Sequence, residues 1–230
     1  MVQFCDDTLA VLKQFAKIDP SLYVSEGNIL RAVSTGEDYF AKAVIPETFE
    51  HEFGFYDLNQ FINCVGLFDK PNLEFGDRKV VINDDSSTNE LSYFYSDIDL
   101  IKQPPSDDLN LDGAVGEFDI TSDELKKLQQ SAAVLGATEL CIESVGEEVR
   151  VSVLAEDNSS EHTFGTITAN SAVNKPFNIR IKVEYMWIKL FKHKGHCSVY
   201  DIGSENGALK VETTSSQVDL TYWMAGKYEG

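Results

Sequence analysis

Residues 6–33 read DDTLAVLKQFAKIDPSLYVSEGNILRAV, and residues 121–154 read TSDELKKLQQSAAVLGATELCIESVGEEVRVSVL. The two stretches follow one plan, 116 residues apart. In the first, Leu9, Val11, Leu12, Phe15 and Ala16 recur at helical spacing, and Asp6 and Asp7 put negative charge at the helix N-terminus, where the backbone dipole favours it. Two strand-like runs follow, residues 21–24 and 29–33, joined by Glu26-Gly27-Asn28. In the second stretch, Thr121-Ser122-Asp123-Glu124 has the pattern of a capping box. Leu125 and Leu128 then stand where Leu9 and Leu12 stood. Strand-like runs at 139–144 and 148–154 flank a turn at Val145-Gly146-Glu147.

Working outward, each copy gains a third strand (residues 39–45 and 162–169) and a second helix. Residues 56–65 place Leu58, Phe61, Ile62 and Val65 on one face, with Asp57 as the cap. Residues 183–191 are the counterpart, anchored by Tyr185 and Ile188, although their aromatic and β-branched content also suits a strand. Each half closes with strands, at 72–75, 79–82 and 91–101 in the first and at 197–202, 208–213 and 218–225 in the second. Between the halves, residues 103–113 combine Pro104-Pro105 with Asp and Gly in an extended connector. The expected organisation is α+β, with two similar β-rich domains of two helices each: residues 1–102, a connector at 103–117, and residues 118–230.

Composition narrows the function. The chain has 230 residues, 43% of them apolar, which is enough for two folded domains. Its formal charge of −19 argues against a conventional nucleic-acid binder and against anionic membrane surfaces. Net charge does not fix local sign, so the placement of the 19 basic residues matters more. Cys5, Cys64, Cys141 and Cys197 form no C-x-x-C pair and read as free thiols in a reducing cytosol. The N-terminus MVQFCDDTLAV lacks a signal-peptide pattern, and no apolar run approaches a membrane span. His193-x-x-His196-Cys197 has no second ligand pair, so no metal or other cofactor is expected. There is no phosphate loop and no nucleophile elbow, and the carboxylates cluster in turns such as Asn83-Asp84-Asp85; the chain is not expected to be an enzyme.

Two segments resemble the sliding clamps of T-even-type bacteriophages: Leu12-Lys13-Gln14-Phe15-Ala16-Lys17-Ile18 and Tyr56-Asp57-Leu58-Asn59-Gln60-Phe61. The final strand, Leu220-Thr221-Tyr222-Trp223-Met224-Ala225, is similar to that of the wider clamp family, which includes proliferating cell nuclear antigen. The resemblance implies a DNA clamp fold, with helices on an inner wall and sheets outside. Subunits of two domains would form a head-to-tail homotrimer, a six-domain ring around duplex DNA. The implied partners are the replicative DNA polymerase and an ATP-dependent clamp loader, in the cytoplasm of the bacterial host, with late transcription as a further role. An acidic, β-rich phage structural or interaction protein that mimics DNA is the alternative.

Under this resemblance, Lys13, Lys17, Lys126, Lys127, Lys189, Lys192 and Lys194 are the candidate DNA-facing residues. Lys13 and Lys17 are spaced i, i+4 and can point one way. The same lysines equally suit the solvated face of an amphipathic helix. The 56–65 helix offers Asn59, Gln60 and Asn63 but no basic residue. For partner peptides, the resemblance points to a pocket built from Leu109, Leu111 and Val115 of the connector, the C-terminal Tyr222, Trp223 and Met224, and Val33; ordinary strand core is the competing reading. Subunits are expected to join by pairing residues 91–101 of one copy with residues 162–169 of the next.

Overall fold

The computed structural model describes residues 1–84, 89–105, 109, 111–155, 161–168 (backbone) and 173–229. Contacts divide the chain into two units, Met1–Ser106 with Ser215–Leu220, and Asp107–Thr214 with Thr221–Gly230.

The first unit runs α1 (Asp6–Phe15), β1 (Leu22–Val24), β2 (Gly27–Val33), β3 (Tyr39–Phe49), β4 (Phe53–Phe55), α2 (Leu58–Val65), β5 (Asn72–Phe75), β6 (Lys79–Asn83) and β7 (Glu90–Phe94). All pairings are antiparallel, in the orders β4-β1-β2-β3 and β5-β6-β7. A bridge from Val2 to Leu73 extends the second set. The strand, helix, three-strand plan therefore occurs twice within this unit. The opening strand of each half pairs with the strand after the helix of the other half: Val2 with β5, and β4 with β1.

The second unit repeats this. It runs β8 (Gly116–Thr121), α3 (Ser122–Leu135), β9 (Ala137–Val145), β10 (Glu148–Ala155), β11 (Glu161–Thr168), β12 (Asn178–Lys182), β13 (Lys194–Gly203), β14 (Asn206–Thr214) and β15 (Asp219–Glu229). β8 pairs with β13, and β12 pairs with β9. The twofold repeat read from the sequence is thus a fourfold one. Its short opening strands, β4, β8 and β12, were not among the predicted elements.

The first two helices are built by their ends and their apolar stripes. α2 begins at Asp57, whose carboxylate accepts from Gln60 N–H at 2.8 Å, and it buries Leu58, Phe61, Ile62 and Val65. α1 begins at Cys5, whose thiol accepts from Thr8 N–H, and it has a second anchor in Glu47 of β3. Glu47 Oε1 accepts from Cys5 N–H at 2.8 Å, and Oε2 accepts from the Thr8 hydroxyl at 2.6 Å. β3 runs beyond the predicted end at Ile45 because the register with β2 shifts around Asn28, giving Pro46 a place in the strand. That shift carries Glu47 to α1. Glu47→Ala strands the Cys5 amide and leaves the fully buried Thr8 hydroxyl only the weak Cys5 thiol contact at 3.3 Å, at a combined cost of roughly 1–3 kcal/mol or more. Glu47→Gln keeps an acceptor for Cys5 and a donor for Thr8. Urea unfolding is expected to show a large loss for the alanine variant and well under half of it for glutamine.

α3 closes the capping box, with Thr121 and Glu124 bonded reciprocally, and stops at Gly136 with φ 63°. The fourth helix differs from expectation. Val183–Met186 and Phe191–His193 are 3-10 turns with an irregular segment between them. Val183, Tyr185, Trp187 and Ile188 favour helix poorly, and side chains of neighbouring strands and of α3 take the backbone groups a helix would pair. Tyr222 OH accepts from Lys189 N–H and donates to Lys189 C=O, both at 3.1 Å. Thr213 Oγ1 accepts from Phe191 N–H at 2.7 Å. Gln129 of α3 donates to Met186 C=O at 2.8 Å.

Candidate nucleic-acid interface

In the first unit, α1 and α2 lie side by side over an aromatic cluster. Phe61 of α2 stacks on Phe55 at 4.0 Å, with Phe4 and Tyr93 at its edges. Tyr95 stacks on Phe53 at 4.6 Å, and burial pushes its phenol pKa up. With Leu12, Phe15, Phe61 and Ile62 turned into this core, Lys13 and Lys17 are exposed. Asn59, Gln60 and Asn63 are the exposed face of α2, polar and uncharged.

In the second unit, α3 buries Leu125, Leu128 and Ala132 and exposes Lys126 and Lys127. Lys189, Lys192 and Lys194 are exposed on or beside the 3-10 turns rather than on a helix. Lys194 is bound to Asp119 at 2.5 Å, and His196 Nδ1 lies 3.1 Å from the other oxygen of that carboxylate. Its charge is therefore largely compensated. The Lys189 ammonium sits 5.5 Å over the Phe191 ring. Lys192 adopts φ 49° and His193 φ 58°, a left-handed pair that favours glycine.

The partner residues are placed unevenly. Leu109 is 40% exposed and Leu111 is half-buried. Val115 is buried, its N–H donating to Val199 C=O at 2.8 Å, so the connector ends earlier than residue 117, where β8 begins at Gly116. Tyr222 and Met224 are buried in the second unit, where Met224 lines an apolar void of about 30 Å³ among Phe118, Leu140 and Val211. Trp223 is 7% exposed. Val33 is buried in the first unit, opposite Phe40 of β3.

Both strands expected at a subunit contact are sheet edges. Among the described residues β7 pairs only with β6, and β11 only with β10. β7 is shorter than the predicted 91–101 run. Beyond it, Ser96 N–H bonds Gly54 C=O of β4, and Asp97 caps a 3-10 turn at Ile98–Leu100. Tyr95 N–H donates to Arg78 C=O at 3.1 Å. In an antiparallel ladder this alternation turns the N–H groups of Ser92 and Phe94 away from β6, to the open edge.

Two units, each made of two halves with exchanged opening strands, three of the four halves carrying a helix and the last a pair of 3-10 turns before its three strands, define a DNA clamp architecture. The comparisons agree. The structure matches proliferating cell nuclear antigen from Entamoeba histolytica with a TM-score of 0.72 and 13% identity, over 96% of this chain and 94% of that one. It matches the PCNA2-PCNA3 complex from Sulfolobus tokodaii at 0.69 and 14%, over 98% and 97%. It matches A. fulgidus PCNA bound to the C-terminal region of FEN-1 at 0.69 and 14%, over 96% and 95%. No family model matches the sequence. The sliding clamp of Vibrio phage KVP40 is 29% identical over 182 residues, 77% of this chain and 81% of that protein. The sliding clamp of Escherichia phage RB69 is 31% identical over 61 residues, 26% of this chain and 27% of that protein. The chain has the DNA clamp fold and is similar in sequence to the sliding clamps of these phages, to the first of them over most of both lengths. No helix among the described residues is long and apolar enough to cross a membrane.

Proposed function

We propose that three copies of this chain close head to tail into a ring around duplex DNA and tether the replicative DNA polymerase, after an ATP-dependent loader has opened the ring in the host cytoplasm. The observation that carries the reading is the fourfold clamp repeat within one chain, which matches a phage sliding clamp over most of both lengths. A contact between two different edges of the subunit builds a ring when its rotation closes, and β7 and β11 are two such edges.

The charge fits topological retention. Screening acts over about 8 Å at physiological salt, so an acidic outer shell leaves the hole to its own lysines. Lys13, Lys17, Lys126, Lys127, Lys189 and Lys192 supply a sparse positive lining, and diffuse phosphate contacts permit sliding where tight ones oppose it. Leu109, exposed, and Leu111, half-buried, are the accessible parts of the proposed partner pocket, an anchor-in-pocket surface for a polymerase or loader peptide.

Retention is the test. Chains loaded on nicked circular DNA are expected to stay through gel filtration and to be lost when the circle is cut once. Equal loss from circular and linear DNA overturns the ring.

A further inference from the structure

Trp187 is half exposed, at 50%, whereas the protein's other tryptophan, Trp223, is 7% exposed. An indole in water is uncommon, because tryptophan is on average among the more buried residues. This one stands on a fixed base. On one side Met186 is buried, and its carbonyl is held by Gln129. On the other, both backbone groups of Lys189 are held by Tyr222. The residues between form an irregular loop with Trp187 at φ −77°, ψ 52°, so the ring is presented by a loop pinned on both sides, in the place of the fourth helix of the repeat.

The surroundings are basic in an acidic protein. Residues 182–194 hold Lys182, Lys189, Lys192 and Lys194 against one carboxylate, Glu184, in a chain of net charge −19. Lys182 donates to the Tyr185 hydroxyl at 3.1 Å, and Lys194 is bound to Asp119. Lys189 and Lys192 are exposed, the latter lifted by the left-handed pair Lys192-His193. Two consecutive left-handed residues without glycine carry a conformational cost, and such cost collects at functional positions. On α3, Lys126 lies on the flank that carries Gln129, toward the same loop.

We infer that Trp187 is a stacking platform for an unpaired DNA base, with Lys189 and Lys192 contacting the flanking phosphates. The inference rests on the clamp reading, which puts this loop on the inner wall. An aromatic ring beside lysines is the general solution for holding single strands, since every base has a face to stack and every nucleotide a phosphate. Blunt duplex offers neither a free base face nor a reason for an exposed indole. The wall would then slide freely on duplex and hold where a single strand emerges, as at a primer–template junction.

Tryptophan emission of the full chain reads this directly, because the buried Trp223 is a poor reporter of added oligonucleotide. Titration with oligo(dT) at low salt is expected to quench the wild-type protein, and Trp187→Phe is expected to lose that signal. By anisotropy of labelled oligo(dT), Trp187→Ala is expected to bind on the order of tenfold more weakly, with Trp187→Phe recovering part of the affinity. Replacing Lys189 or Lys192 with Gln is expected to lower the salt slope by about 0.7 each. Absence of quenching, equal quenching by blunt duplex, or equal quenching by polyglutamate, which would mark a site for an acidic protein, overturns the inference. Retention of Trp187→Phe on nicked circular DNA separates the two readings. If wild type and variant are both retained while oligo(dT) does nothing, only this inference fails. If neither is retained, the ring itself fails.

Discussion

A Ser92→Pro chain is expected to fold and to sediment as a 25.6 kDa monomer, where the parent chain is expected to sediment as a trimer. Ser92 sits in the middle of β7, opposite Val81 of β6. Its N–H faces the open edge, so proline there removes no ladder bond within the subunit. Proline is accepted at such edge positions, and its effect on the preceding residue, Leu91, is to favour the extended form that residue already has. What the unit loses is the Ser92 hydroxyl that accepts from Lys79 at 2.9 Å, a part-buried contact that the alanine control loses as well. What an incoming strand loses is a donor, together with room for its backbone. Leaving the facing strand's carbonyl unpaired in a buried contact costs roughly 1–3 kcal/mol, which is on the order of ten- to a hundredfold in association at each contact. A ring of three needs all three contacts, so closure suffers three times. Ser92→Ala is the control and should remain trimeric. Polymerase stimulation on primed circles should vanish with the proline variant and persist with alanine. A trimeric Ser92→Pro protein would move the subunit contact away from β7.

The helices were legible in the sequence because their signals are local. Asp57, Thr121 and Glu124 act over three residues, and the stripes Leu9 to Phe15 and Leu125 to Ala132 need only a helical period. Exposure of Lys13, Lys17, Lys126 and Lys127 follows from those stripes. The short strands were hidden for the opposite reason. Phe53-Gly54-Phe55 is three residues long with a glycine at its centre, and it becomes a strand through pairing with Leu22–Val24, far along the chain. The 183–191 segment has helical spacing, but Tyr222, Thr213 and Gln129 reach it from distant elements and hold it in another form. The C-terminal run Tyr222-Trp223-Met224 shows a limit of pattern reading. A strand covered on both faces and an exposed recognition strip are both uninterrupted apolar runs, and only the fold buries Tyr222 and Met224. Trp187 carried one sequence signal that went unused, a lone indole among lysines in an acidic chain.

Phe61→Ala is expected to be the most destabilising single truncation beneath the helices of the first unit. Phe61 has no exposed surface, and its ring lies 4.0 Å from Phe55 at an interplanar angle of 15°. Truncating a buried phenylalanine costs about 3–5 kcal/mol, a large part of the 5–15 kcal/mol that holds a domain together. The loss falls on an element with little stability of its own. α2 has eight residues, well under the length at which an isolated helix persists in water, so it depends on Leu58, Phe61, Ile62 and Val65 for its existence. Phe61→Leu retains much of the apolar volume and should recover more than half of the loss. Hydrogen exchange should show residues 58–65 deprotected in the alanine variant before β9 and β10, which belong to the other unit. Because α2 lies beside α1, its release also removes support from the surface that presents Lys13, and retention on circular DNA should fall even at temperatures where most of the chain is still folded. An alanine variant with unchanged denaturant midpoint and unchanged exchange at 58–65 would show that α2 is held by something other than this aromatic stack.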